Sequence, residues 1–221
     1  MIIKWTGLHT VNIPKDAVED YVYLIDRGYK QKSSLELIGS RFLLDSYKRQ
    51  LIFRSVQPAS ICRKIWPRII TDIHGRSVII DCYNVINTVI GAEESLAVIS
   101  RDSLLRDAQE VHSSFKMGPK VIYTVMKIIQ YLKYQKTGHA MFVLDSQISR
   151  SGELAAKIRE ILSSEGMDGD ALVRRDADKF IKEELQGDED LIIASSDTGI
   201  LIYTTNEIHD MARGVVEFGN I

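Results

Sequence analysis

Aspartates stand at the ends of short apolar runs, and this placement is the feature of the sequence best suited to chemistry. The run 78–80 ends in Asp81, the run 141–144 ends in Asp145, and the run 191–194 leads into Ser195, Ser196 and Asp197. Parallel strands joined by right-handed crossovers bring their carboxyl ends to one edge, which is where open α/β sheets bind ligands. Carboxylates gathered there repel and raise one another's pKa, so the group demands protons or a cation. Mg²⁺ or Mn²⁺ fits, as a hard ion with oxygen ligands, and such a site supports phosphodiester hydrolysis. Taken singly, each aspartate has a second reading, the capping of a following helix. Asn84 and Ser196 are candidate contacts to metal-bound water or to phosphate, or local turn and cap residues.

These carboxylates need elements to carry them. From about residue 77 the chain alternates short apolar runs with helical periodicity, the pattern of βαβ units. A fourth strand is expected over 171–173. Helices are expected over 121–132, with Gly138 as cap, after Asp145 through Leu154, Ile158, Ile161 and Leu162, and through Phe180, Ile181 and Leu185. In the segment 101–115, Ser103, Asp107, Glu110 and Ser114 share one helical face and Leu104, Ala108, Val111 and Phe115 the other. That spacing predicts an acidic helix, with Asp102 at the position of its cap.

The first 76 residues read differently. Pro14, Val18, Tyr21, Val22, Ile25 and Gly28 outline one helix; Ser33 and Glu36 form a capping box for a second; a third follows Asp45 and closes before Pro58. The set is either a helix-turn-helix with phosphate-facing Lys and Arg or a plain bundle, with Trp5 and Trp66 as core anchors. This part carries 13 Lys and Arg against 7 Asp and Glu, whereas the whole chain has a net charge of −2, so a basic helical module (1–76) precedes an acidic α/β domain (77–221). Arg63 and Lys64 lie in its most basic stretch and are candidate substrate contacts.

Composition narrows the class. At 45% hydrophobic and 26% charged, the 221 residues suit an ordered globular chain. Two cysteines, no leader pattern and no long apolar span point to a reducing cytoplasm and no membrane. The five histidines are scattered and no CxxC occurs, which argues against zinc. Neither GxGxxG nor GxxxxGK[ST] is present, so a nucleotide-binding phosphate loop is disfavoured. Cys82 reads as a small buried hydrophobe, and Arg174 and Arg175 with Asp176 and Asp178 read as the lining of a nucleic-acid channel or, more simply, as a surface ion-pair cluster.

The stretches IIDCYNV (79–85), FVLDS (142–146) and SSDTGIL (195–201), with the acidic segment near 102–110, resemble the PIN-domain and NYN-type nuclease superfamily. With its helical N-terminal part, the chain looks closer still to a largely archaeal family of unknown function. The resemblance implies a Rossmann-like, PIN-like parallel sheet sandwiched by helices and a divalent-metal-dependent nuclease with RNA favoured over DNA. It maps the acid after the first strand to Asp81, the later acids to Asp145 and Asp197, and the helical acid to Asp107; it also implies a homodimer. Cys82 departs from the glycine expected after the first aspartate. A PIN-like scaffold that binds nucleic acid or protein without cleaving is the alternative.

Overall fold

The computed structural model describes residues 12–108 and 116–219. The chain groups into two compact units, one of Met1–Pro67 with Gly91–Glu110, the other of Arg68–Ile90 with Val111–Ile221. A single cut after residue 76 would therefore separate 91–110 from the helical residues it packs with.

In the first unit, α1 (Lys15–Asp26), α2 (Gln31–Arg41), α3 (Ser46–Ser55) and α4 (Ala59–Ile65) are followed by a 3₁₀ turn that begins at Trp66. Tyr21, Ile25, Ile38 and Ile52 form a core with Ala17, Leu44 and Val56. Asp45 caps α3 as its sequence suggests, accepting from the Lys48 N–H at 2.8 Å. The capping box does not form: α2 begins at Gln31, with Ser33 inside the helix and Lys30 at its N-cap. Pro58 ends one helix but also opens the unanticipated α4, where a missing N–H costs nothing. Trp66 is 45% exposed and is no core anchor; Trp5 lies outside the described residues.

The acidic helix expected across 101–115 is not formed in its described part. Instead β3 (Ala97–Ile99) pairs antiparallel with β4 (Leu105–Asp107). Ser103 turns the chain with φ 72°, a conformation that no helix interior accepts. Asp102 is not a helix cap but a fully buried carboxylate that accepts from the Ser100 hydroxyl, the Leu104 N–H and the Arg106 guanidinium. The spacing of three and four that mimics a helix here is produced by this turn. The hairpin is fastened to the helices by Arg101, whose N–H donates to Ser55 O at 2.7 Å. Its guanidinium grips both Asp26 oxygens at 2.7 Å. Asp107, expected on a helix, is a strand residue whose Oδ1 would lie 2.9 Å from a Cβ at Gly91. Glu110, His112 and the rest of 109–115 lie outside the described residues.

In the second unit, β1 (Ile69–Ile70), β2 (Ser77–Asp81), β5 (His139–Asp145), β6 (Gly169–Arg174), β7 (Ile192–Ala194) and β8 (Ile208–His209) form a sheet in the order β1-β8-β7-β2-β5-β6. Every pairing is parallel. Central β2 buries Val78, Ile79 and Ile80 completely, as a strand covered on both faces requires. The helices α5 (Cys82–Glu93), α6 (Pro119–Tyr134), α7 (Ser151–Ser164), α8 (Ala177–Gly187), α9 (Thr198–Leu201) and α10 (Met211–Phe218) connect and flank these strands. Gly138 is not the cap of α6. Lys136 takes the left-handed turn (φ 53°), and Gly138 passes so close to Gly75 that a Cβ would meet its carbonyl oxygen at 2.6 Å.

The buried Asp102–Arg106 pair makes a prediction. Removing one partner strands the other charge, so Asp102→Ala should cost about 3–5 kcal/mol in urea unfolding. Glu160→Ala, which breaks an exposed pair with Lys157, should cost less than about 1 kcal/mol. Equal losses would show that the hairpin does not depend on the buried pair.

Candidate functional site

Strand order fixes where a site can form. From β2 the chain proceeds to β5 and β6 on one side, then returns to β7 and β8 on the other. The reversal lies between β2 and β7, and crevices of open α/β sheets open at the carboxyl ends of the strands at such a point. Asp81 ends β2, and Ser195, Ser196 and Asp197 directly follow β7.

Ser195 joins the two strand ends. Its hydroxyl donates to Asp81 Oδ2 at 2.8 Å, and its oxygen accepts the Asp197 N–H at 3.0 Å. A second bridge runs beside it. Asn84, on the first turn of α5, accepts from the Ser196 N–H at 2.8 Å and from the Ser196 hydroxyl at 3.1 Å. Both serines are buried. Asp197 caps the four-residue α9 through the Gly199 N–H at 2.7 Å, so it is a cap as well as a member of the group. Asp145 likewise accepts from the Gln147 N–H at 2.7 Å.

The electrostatics of the group are unfavourable without a counter-charge. Burial pushes the Asp81 carboxyl up to about 7; the Ser195 hydroxyl and Asn84 N–H pull it down, and the negative charges of Asp197 and Asp178 push it up. Asp178, in the first turn of α8, is raised by its own desolvation and by Asp197 and Asp145, against the pull of Lys182. The charges of Asp197 and Asp178 thus act on Asp81, and those of Asp197 and Asp145 act on Asp178.

Of the aspartates read from the sequence, Asp81, Asp145 and Asp197 lie at the carboxyl edge of the sheet, and Asn84 and Ser196 bond each other there. Asp107 belongs to the other unit, on β4. Arg63 and Lys64 are exposed on α4, also in that unit. Asp178 is the member that sequence reading missed. It follows the end of β6 by four residues, the signal used for the other aspartates, but its neighbours Arg174 and Arg175 suggested ion pairing instead. The Arg174 guanidinium in fact lies 4.5 Å from the centre of the Phe180 ring. Cys82 is buried, and burial with the Asp81 charge drives its thiol up, so it is no nucleophile.

Fold and site together define an α/β domain with aspartates gathered at the switch point of a parallel sheet. The chain belongs to the family described as Domain of unknown function (DUF5616), whose model matches residues 70–213. Residues 15–65 match that of Protein of unknown function (DUF434). The chain is 26% identical over 188 residues to an uncharacterized protein, MJ0935, of Methanocaldococcus jannaschii, a stretch covering 84% of this chain and 87% of that one. No solved structure matches. Among the described residues, no helix is long and apolar enough to cross a membrane.

The raised Asp81 sets a pH dependence. Below the ordinary carboxyl value of 3.8 the folded and unfolded chains both carry the proton, and the site costs nothing. Between 3.8 and about 7 the unfolded chain ionises Asp81 while the folded chain keeps it neutral, so folding stability falls as pH rises through this window. Without divalent ions, Asp81→Asn should therefore remove part of that fall and stabilise the protein above pH 7 by about 1–3 kcal/mol. Chemical denaturation across pH is the measurement, and an Asp81→Asn curve parallel to the wild type would refute the raised value.

Proposed function

We propose that the α/β unit is a PIN-like, divalent-metal-dependent nuclease that hydrolyses RNA. The observation that carries this reading is the pairing of Asp81 and Asp197 at the switch point through Ser195, with Asp178 close enough for its charge to act on Asp81. The PIN-like pattern has an acid after the first strand and further acids at later strand ends, and Asp81, Asp145 and Asp197 supply these. It departs at the helical acid, since Asp107 is not helical, and Asp178 is the better fourth carboxylate.

The donor set suits the metal. All four groups are carboxylates, the hard oxygen ligands of Mg²⁺ and Mn²⁺. Among the described residues no three or more His, Cys, Asp or Glu are already drawn to ligating positions, and Mg²⁺ commonly binds through one or two carboxylates while keeping several waters. Asp81 and Asp197 would hold the ion, with Asp178 and Asp145 adding negative charge. When bound, it supplies positive charge against the charge that develops on the phosphoryl oxygens.

The protein's own contributions follow from the bonds described. Ser195 fixes the Asp81 carboxylate by donating to Oδ2, and it favours the ionised form that a cation requires. Asn84 and Ser196 tie the first turn of α5 to the segment after β7. Asp145, whose charge acts on Asp178, would accept a proton from attacking water.

A labelled single-stranded RNA incubated with Mg²⁺, with Mn²⁺ or with EDTA tests the reading. Cleavage should require the ion, and Asp81→Ala should lower it by at least about 100-fold while the fold persists. Metal-independent cleavage, or full activity in Asp81→Ala, would reject the assignment. If RNA binds but is not cleaved under any condition, the non-catalytic scaffold takes its place. Cation binding is separately visible as a rise in Tm above pH 7 on adding Mn²⁺, which Asp81→Asn should largely abolish.

A further inference from the structure

Tyr203 lies in the segment that follows Asp197 and α9, and the residue is 64% exposed. An exposed aromatic on a loose loop would need no explanation, but this segment is tightly held. Arg68 donates three hydrogen bonds into it: Nε to Asn206 O at 2.8 Å, Nη1 to Leu201 O at 2.8 Å and Nη2 to Thr204 Oγ1 at 3.1 Å. Asn206 is buried and in turn donates to Asp188 O at 2.8 Å and Leu191 O at 3.0 Å. Residues on both sides of Tyr203, namely Ile200, Leu201, Thr204 and Asn206, are buried. The fold thus fixes this backbone with a five-bond polar network and leaves one large ring in water.

The ring has a charged neighbour. Lys182 Nζ sits 4.8 Å from its centre, and Lys182 stands one turn after Asp178 on α8, on the same flank of the helix. Its charge is felt by Asp178. An exposed aromatic ring on a fixed backbone, a cation over one of its faces and a cluster of carboxylates within one helical turn are the parts used to hold unpaired nucleotides. Bases stack on the ring whatever their identity, and the cation meets the backbone phosphate. A duplex, with its bases already stacked on one another, offers nothing for such a ring to hold.

We propose that Tyr203 and Lys182 form a nucleotide-holding subsite beside the carboxylates and select single-stranded nucleic acid as substrate. The adjacency to a cleavage centre rests on the nuclease reading given above; the binding itself does not. Lys182 covers one face of the ring, so a base stacks on the opposite face, and the Tyr203 hydroxyl is dispensable.

Binding without divalent ions separates the two claims. The full-length Asp81→Asn protein is titrated, in EDTA, into a short fluorescein-labelled single-stranded oligonucleotide and into its blunt duplex, with anisotropy as the readout. Tyr203→Ala should weaken single-strand binding about tenfold, while Tyr203→Phe stays within about twofold. Lys182→Gln should flatten the salt dependence by about 0.7 in the log–log slope, one phosphate contact on a single strand. Duplex binding should be weaker and indifferent to Tyr203. No single-strand binding, equal binding by Tyr203→Ala, or an equal loss of duplex binding in that variant overturns the subsite. Tyr203-dependent binding in a protein that cleaves nothing leaves the subsite standing and removes the nuclease; cleavage by wild type with unchanged KM in Tyr203→Ala does the reverse.

Discussion

A serine hydroxyl that serves two strand ends at once is the contact on which the crevice depends. Ser195 gives its proton to Asp81 and takes the Asp197 N–H, so the ends of β2 and β7 are tied at the one place where the strand order reverses. Without it, the Asp81 and Asp197 segments would keep only the Asn84–Ser196 tie and the strand pairing against the repulsion of their charges. The bond does more than position. A hydrogen bond donated to a carboxylate favours its charged form, so the same contact that locks the geometry moderates the cost of burying Asp81. Asn84 repeats the tie one layer away, through backbone and side chain of Ser196.

The parallel sheet explains why these groups meet. Each crossover returns the chain so that every strand points the same way, and every residue after a strand arrives at the same edge. Asp81, Asp145, Asp178 and Asp197 are spread over more than a hundred positions, yet all follow a strand end closely. An arrangement of this kind concentrates charge without any local cluster in the sequence. It also means that the site is stabilised by the sheet and destabilises it, a common relation between function and fold.

The central strands were legible because a strand buried on both faces must be apolar throughout, and 78–80 and 141–144 are. The two-residue strands β1 and β8 were not, since two residues carry no periodicity. The hairpin of β3 and β4 defeated the reading for a different reason. Leu104 and Ala108, four apart, satisfy a helical template, and nothing local reveals that Asp102 would turn inward to meet Arg106. Burying a charged pair is a tertiary event, decided by what packs around it. Asp178 was overlooked because adjacent arginines offered a simpler account of it. Asp81, Asp145 and Asp197 were found by the rule that also points to Asp178, applied without that distraction. Ser195 was visible as part of a motif, but its role as the bridge belongs to the three-dimensional arrangement alone.

The interleaving of the two units along the chain has its own consequence. The hairpin is reached only by passing through β2 and α5, and its partners Asp26, Ser55 and Leu51 precede that strand. Translation therefore delivers the helices first, then two strands of the sheet, β1 and β2, then the hairpin that completes the helical unit, and only afterwards the remaining strands. The helical unit can close while β2 still waits for β5 and β7, an apolar strand with two open edges. A proteolytic fragment starting near Ser77 would inherit the hairpin without its partners, leaving Val98 and Ala108 bare of the side chains that cover them. Such a fragment would aggregate for reasons unrelated to its sheet, and excising the α/β region cleanly means removing 91–110 as well.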